Sequence, residues 1–432
     1  MKPFTVRVGK KRSGAKLHLF PGENLFTGEK PFTDEFGEPT SLETDLLNLA
    51  AAVYATDLAA LRDERENYIR TIELSIEVVN IHAFERIKTL LETGLQVVSR
   101  DNWQLNFLPL AGTPETGFAW TKKEGAVLLF SGGMDSMVAA SEFVKEGRDL
   151  VLVSHNSQGN RIVDACQTSV HKSLQDFYGR TIRHLHLKVF ARNKGRFTFP
   201  DERENSQRTR SFLFLCLAAL VTRRCGFNKV LFMAENGQFA IHLPLNQARV
   251  GPFSTHTADP AFLKNAEEIF KTLLTNDSFQ ISNPFLYLTK GEVFALLPDP
   301  LRLEAQKSAS CWMISRVPGN RHCGICIPCI SRRIAIEFNS LEFDEYDFDL
   351  FRADLDSLSN DNTGKRNLAD YLEFISKFLN LNDANRIELT LEFCELITTA
   401  FETDRALELY SRVAEQSREV FKKYPHVEEF AG

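Results

Sequence analysis

The stretch VLLFSGGMDSMVAA, residues 127–140, sets an apolar run of strand character against two adjacent glycines, an Asp–Ser pair and the start of a helix. Glycines lack Cβ, so they admit unusual backbone angles and let amides approach a ligand closely. The following helix adds free N–H groups and the positive end of its dipole, which together make an anion site. In Ser131-Gly132-Gly133-Met134-Asp135-Ser136 the two hydroxyls are further donors. Asp135 is the discordant member, because a carboxylate beside phosphates repels them unless it caps the helix or holds a divalent cation. No lysine follows the glycines at P-loop spacing and G-x-G-x-x-G is absent, so neither common nucleotide motif applies. A bare Gly-Gly turn serves the fold alone; a strand before, a helix after and the whole SGGxDS string favour a phosphate cradle.

The same rhythm continues downstream. AVLLF precedes a helix over Met134–Lys145, DLVLVS precedes one over Ile162–Tyr178, IRHLHLKV precedes one over Gln207–Arg224, and KVLFMA follows. Such alternation predicts an α/β fold, a doubly wound parallel sheet covered on both faces, with ligands at the carboxyl ends of the strands. Upstream, residues 1–120 read as a small α+β domain. FTVRVG, KLHLF, RTIELSIEVV and NWQLNFLPL have strand character, AFERIKTLLETGLQVV has helical spacing, and SLETDLLNLAAAVYATDLAALRDE is a helix given an acidic, capped start by Ser41, Glu43 and Asp45. Residues 121–337 make the central domain. Residues 338–432 are expected to be helical, through DFDLFRADLDSLS, LADYLEFISKFLNL, RIELTLEFCELITTAFETD and ALELYSRVAEQSREVFKKY, with SNDNTGKRN as a loop.

Composition narrows the partners. With 51 basic and 57 acidic residues the net charge is −6, so no general polyanion-binding field is expected and nucleic acid is a poor candidate partner. The longest apolar stretch, FLFLCLAALV at 212–221, is about half of the roughly 20 residues a membrane span needs. The opening MKPFTVRVGKKRSG has no apolar core of a secretory signal behind it. A cytoplasmic protein without membrane contact is expected.

Four of the eight cysteines form Cys311-x11-Cys323-x2-Cys326-x2-Cys329. Two consecutive C-x2-C steps bend the backbone so that sulfurs converge, and four thiolates suit tetrahedral Zn²⁺. Gly324 and Pro328 are natural residues for such knuckles. A closed site of this kind is structural in the first instance; the same ligands also serve an iron–sulfur cluster, and a redox or sulfur-carrying C-x2-C is a third reading. His322 is left out because a fourth cysteine is available. Cys166, Cys216, Cys225 and Cys394 fall in apolar, helix-like settings and are expected to pack in the core.

The SGGxDS string resembles the pyrophosphate-binding loop of the N-type ATP pyrophosphatases, among them GMP synthetase, NAD synthetase, asparagine synthetase, tRNA-thiolating enzymes and 7-cyano-7-deazaguanine synthase. Followed by S-C-x11-C-G-x-C-x2-C-x2-R, it resembles the last of these, the QueC family, over roughly Ala126–Glu337. The resemblance implies an ATP pyrophosphatase (HUP-like) core in which the loop Ser131, Gly132, Gly133, Met134, Asp135 and Ser136 holds ATP. It implies that Asp135 helps position Mg²⁺ and that the cysteines hold Zn²⁺. The shared reaction is attack of a substrate oxygen on the α-phosphorus of ATP, release of pyrophosphate, and displacement of AMP by a nucleophile.

Further candidates lie at predicted strand and helix ends. Arg208 and Arg210 open an apolar helix, where the dipole disfavours cations, so an anion between them and the helix is expected; solvated basic residues are the plainer alternative. Glu235, Asn236 and Gly237 end a predicted strand at the ligand edge, although an Asn-Gly turn alone would explain them. Arg249, Ser254, Thr255, His256 and Thr257 form a polar loop like segments of the family's substrate pocket. Thr289 and Lys290 open a helix in the manner of the family's TK-E segment, with Lys290 toward phosphate. His184 and His186 share one strand face and read as packing. Asp135, Arg208, Arg210 and Lys290 are the catalytic candidates.

The reading is an ATP-consuming, adenylate-forming enzyme acting on a small-molecule carboxylate such as 7-carboxy-7-deazaguanine, with an amine as second substrate. The flanks before and after the matched half depart from the housekeeping synthase. Long QueC-like proteins with such flanks resemble those of bacterial anti-phage operons, which implies docking of a partner protein whose amino group replaces ammonia. The rivals are a tRNA-modifying pyrophosphatase, which would need a basic face and catalytic thiols, and a nucleotide-sensing scaffold without catalysis.

Overall fold

The computed structural model describes residues 2–10, 14–118, 120–121, 123–156, 161–227, 230–246, 257–317 and 322–431. Arg249, Ser254, Thr255 and His256 lie outside the described residues.

Alternating apolar residues in the N-terminal region become β1 (Phe4–Val8), β2 (Leu17–Leu19), β3 (Leu25–Thr27), β4 (Thr71–Val78) and β5 (Asn102–Pro109), with α1 (Glu29–Phe36), α2 (Ser41–Ala59) and α3 (Ile81–Ser99) between them. A first sheet has the order β2-β1-β4-β5 and is parallel throughout. Thr40, one residue before the expected cap, closes a capping box with Glu43 at the start of α2.

The central rhythm yields β6 (Ala126–Leu129), α4 (Met134–Lys145), β7 (Leu150–Asn156), α5 (Arg161–Tyr178), β8 (Arg183–Ala191), α6 (Arg210–Cys225), β9 (Val230–Phe232), α7 (Gly237–Ile241), α8 (Pro260–Leu273), β10 (Gln280–Ser282), α9 (Lys290–Ala295) and α10 (Asp299–Glu304). The second sheet runs β10-β9-β6-β7-β8-β3. All of its pairs are parallel except β3 with β8. Its outer strand therefore comes from the N-terminal region, and α2, buried on nearly every side, packs on α6. One hydrophobic core spans both sheets.

Charges seal this junction. Arg62 clamps Asp101 with two bonds of 2.8 Å, and Arg70 bridges Asp57 and Asp101 at 2.5 Å each. Asp57 in turn accepts from Thr209 N–H and Oγ1–H at 2.9 and 3.0 Å, at the N-cap of α6. The expected helix from Gln207 thus begins only at Arg210.

Beyond the sheet lie α11 (Ile327–Phe338), α12 (Thr363–Ser376), α13 (Asp383–Glu392), α14 (Thr403–Phe421) and α15 (Pro425–Ala431). DFDLFRADLDSLS does not form the helix its periodicity promised. Asp349 accepts from Arg352 N–H, and Asp354 accepts from the N–H groups of Asp356 and Ser357, so side chains capture the amides a helix would need. Helix α14 packs on α7 and α11, making a third core with α12 and α13. Among the described residues no helix is long and apolar enough to cross a membrane.

Candidate active site

Strand β6 has β7 on one side and β9 on the other, so chain order reverses at its edges and a crevice opens beyond its carboxyl end. The glycine loop occupies that end. Gly132 adopts φ +76°, and a Cβ there would lie 2.9 Å from the backbone nitrogen of Gln167 on α5, so only glycine fits. Gly133 is the N-cap of α4, and no side chain caps the helix. Ser131 Oγ accepts from Gly133 N–H at 3.2 Å and lies 3.3 Å from Ser136 Oγ, which donates to the Gly133 carbonyl at 2.9 Å. The N-terminus of α4 therefore carries no side-chain cap on its amides, as an anion site requires, while Met134 is buried and Asp135 is the one acidic residue of its first turn. Buried Gln167 Oε1 and Asn236 Oδ1 have no hydrogen-bond partner among the described residues, leaving two acceptors beside the loop.

Asp135, on this first turn, is 6% exposed. Its Oδ1 accepts from Lys290 Nζ at 2.9 Å, and its Oδ2 accepts from Asn236 N–H at 3.1 Å and Nδ2–H at 2.7 Å. Lys290 is held there by the capping box of Thr289 and Glu292 that opens α9. Glu235 joins the group, with its Oε1 3.1 Å from Asn236 Nδ2. Burial pushes the Asp135 carboxyl up, but the Lys290 ammonium and hydrogen bonds from Glu235 and Asn236 outweigh it and bring the pKa down to about 2. Burial and the Asp135 charge push Glu235 well above the usual carboxylate range, so this pair holds one proton, on Glu235. The expectation gave Asp135 a cation and Lys290 a phosphate; here each is the other's partner.

Arg208 and Arg210 stand apart from this group. Arg208, expected in the first turn of the helix but lying just before its Thr209 N-cap, is buried and donates from Nη1 to the Ser99 carbonyl at 3.1 Å. Burial, together with the charges of Arg62 and Arg70, lowers its pKa to about 10. Arg210 is exposed, with its guanidinium 5.3 Å from the Phe214 ring. The anion expected at this helix start is present within the chain itself, as Asp57.

The four cysteines converge as their spacing requires. Their sulfurs all lie within 4.8 Å of one another, with Cys311–Cys326 at 3.9 Å, Cys323–Cys329 at 3.8 Å and Cys326–Cys329 at 3.4 Å. A tetrahedral ion with Zn–S bonds of about 2.3 Å needs sulfur separations of about 3.8 Å. A four-iron cube, which binds each thiolate to a different iron, needs a wider cage. The donor set fits one tetrahedral ion. Gly324 has φ +78°, and a Cβ there would stand 1.9 Å from the Phe348 carbonyl oxygen, so the knuckle needs its glycine. Cys326 is the N-cap of α11, with Pro328 in the first turn. His322 is no member of the group: its Nε2 accepts from Ser310 N–H at 3.2 Å, and burial with the Arg332 charge lowers its pKa to about 2.

Of the other cysteines, Cys216 and Cys225 are buried and Cys166 is half-buried, but Cys394 is exposed in a short turn, contrary to its expected core position. The His184 and His186 rings lie 3.9 Å apart, tilted by 43°, as packing residues on one strand face. Three contributors escaped the sequence reading: Gln167 and Ala309, which wall the glycines, and Arg332, which ties the cysteine region to them. Arg332 alone had a signal, a fixed place after the last C-x2-C step.

The family model for QueC, the queuosine biosynthesis protein, matches residues 125–340, half of the 432. No curated protein matches the chain. The matched span opens one residue before β6 and closes just after α11, enclosing the glycine loop, Lys290 and the four cysteines. The chain belongs to the QueC family.

Proposed function

We propose that the protein uses ATP to adenylate a carboxylate of the 7-carboxy-7-deazaguanine class and passes the acyl group to an amine. The observation that carries this reading is the uncapped first turn of α4 behind Gly132, where only glycine fits, at the point where the sheet's chain order reverses. Amides at that turn suit the β- and γ-phosphates, which leaves the α-phosphorus toward the crevice. A carboxylate oxygen attacks the α-phosphorus, the bond to the bridging oxygen of the β-phosphate breaks, and pyrophosphate leaves. The amine nitrogen then attacks the acyl carbon, AMP departs with the bonding pair, and the nitrogen loses a proton.

Ionised Asp135, on the first turn of α4, offers the hard oxygen donor type that Mg²⁺ requires. Such an ion would neutralise developing charge on the phosphates. Lys290 keeps Asp135 ionised and in place. The cysteine group would hold Zn²⁺ as a staple of the domain. We assign the acceptor as an amino group of a partner protein, because the N- and C-terminal regions lie outside the matched span and could serve as docking surfaces. The setting we favour is an anti-phage operon.

The test is pyrophosphate release from ATP with 7-carboxy-7-deazaguanine, alongside mass spectrometry of a co-expressed operon partner, for the wild type and Asp135→Ala. Carboxylate-dependent pyrophosphate together with an added deazaguanine mass on the partner supports the reading. Pyrophosphate with the partner unchanged limits the acceptor to a small amine, and absence of both removes the proposal.

A further inference from the structure

The two glycines of the loop lie against a segment from far along the chain. Ala309 N–H donates to the Gly132 carbonyl at 2.9 Å, and the Ala309 carbonyl oxygen lies 3.0 Å from where a Cβ on Gly133 would stand. Ala309 is two residues before Cys311, and the strap from Ser308 to Cys311 is fixed all along its length. Cys311 belongs to the sulfur group, and Ser310 N–H donates to His322 Nε2 at 3.2 Å. Arg332, fully buried on α11, donates from Nη1 to Ser308 Oγ at 2.8 Å and Ser310 Oγ at 3.1 Å, and from Nη2 to the Ala305 carbonyl at 2.7 Å. Glu345 Oε1 fixes the guanidinium from behind, accepting from Nε at 2.5 Å. Helix α11 itself grows out of the cysteine knuckle, with Cys326 as its N-cap and Cys329 in its first turn. Apart from Ser308, whose N–H and Oγ also donate to the Ala305 carbonyl at 3.0 and 2.6 Å, the strap's anchors lead to the cysteine group or its helix, and its other face is the wall of the glycine loop.

We propose that the four-cysteine centre and the nucleotide site are thermodynamically coupled through this strap, with Arg332 as a positioning residue. The inference rests on the reading that the loop binds ATP. An ion shared by four sulfurs pins Cys311, which pins Ala309 against Gly132 and Gly133. Without the ion the strap loses its anchor at Cys311, and nucleotide binding must order that end of the strap together with the loop, which weakens affinity. Linkage makes the effect reciprocal: whatever factor the metal adds to nucleotide affinity, the nucleotide adds to metal affinity.

The experiment titrates the zinc-loaded full chain with a chromogenic chelator, with and without saturating α,β-methylene ATP. Zinc affinity is expected to rise about tenfold with nucleotide, within the usual range of such couplings. Amide hydrogen exchange over residues 131–137 is expected to quicken when zinc is withdrawn and to slow when it is restored. Ser308→Ala with Ser310→Ala keeps all four thiols and the Arg332–Glu345 pair, so this double variant should still bind one zinc while the nucleotide effect shrinks toward none. Equal zinc affinity with and without a nucleotide shown to bind overturns the coupling and leaves the ATP reading standing. An undiminished factor in the double variant overturns the strap as its route, and failure of the zinc-loaded chain to bind nucleotide overturns both.

Discussion

Lys290→Met removes the ammonium that faces Asp135 at 2.9 Å while keeping most of the apolar stem. Both partners are nearly enclosed, at 7% and 6% exposed. In the intact site Asp135 titrates at about 2 instead of the ordinary 3.8, so its ionised form contributes about 2 kcal/mol. That contribution is complete above the unfolded value and is lost as pH falls through the folded one. Without Lys290, burial is opposed only by the hydrogen bonds from Glu235 and Asn236, so the Asp135 pKa rises from its value in the intact site. The variant's deficit relative to wild type is therefore smallest where Asp135 is protonated and grows as pH rises. Breaking a buried pair by removing one partner costs about 3–5 kcal/mol. Urea unfolding of Lys290→Met, Asp135→Asn and the double variant at pH 5 and pH 8 tests this. Lys290→Met should be weakest at pH 8, and the double variant should lose less than the sum of the singles. An equal loss at both pH values, or penalties that add within about 0.5 kcal/mol, would refute the pairing.

Other outcomes follow from the same geometry. Gly132→Ala should destabilise by about 2–4 kcal/mol, combining left-handed strain at φ +76° with a Cβ driven into Gln167, whereas Gly133→Ala, at φ −82°, should stay within about 1 kcal/mol of wild type. Comparable melting of the two variants would contradict this. Burial lowers the pKa of His155 to about 4 and of His184 and His322 to about 2, so each is neutral in the fold. Their neutrality is favourable above about pH 6.5 and lost as pH falls, so stability should drop roughly 1.4 kcal/mol per histidine, about 4 in all, between pH 7.5 and 5.5. A flat denaturation midpoint across that window would count against it. Arg412 on α14 donates from Nε to Glu292 at 2.7 Å and from Nη2 to the Tyr287 carbonyl at 2.7 Å, bracing the start of α9. Arg412→Ala should cost at most about 1 kcal/mol of stability because the pair is partly exposed, yet slow pyrophosphate release severalfold. Unchanged turnover would show the brace to be idle.

Local chemistry explains what the sequence disclosed. The glycine loop, helix α4 to the residue, the parallel central sheet and the sulfur group all follow from short-range patterns whose physical demands are strict. What escaped depends on contacts between distant segments. Nothing near Leu25–Thr27 announces that this strand leaves the first sheet and completes the second. Residues 347–359 carry helical periodicity, yet their aspartates bond the amides directly and win locally. Arg208 looked like a ligand residue because an arginine before a helix is anomalous, and the anomaly is resolved by Asp57, far upstream on α2. Lys290 and Asp135 were each recognisable alone, but no spacing discloses that they meet across the sheet's edge.

The most direct test of the account is exchange of radiolabelled pyrophosphate into ATP by the purified full chain, with and without the carboxylate. The account predicts label in ATP only when the carboxylate is present, and none with Asp135→Ala. Cleavage of ATP to ADP and phosphate, or carboxylate-independent turnover, would contradict it.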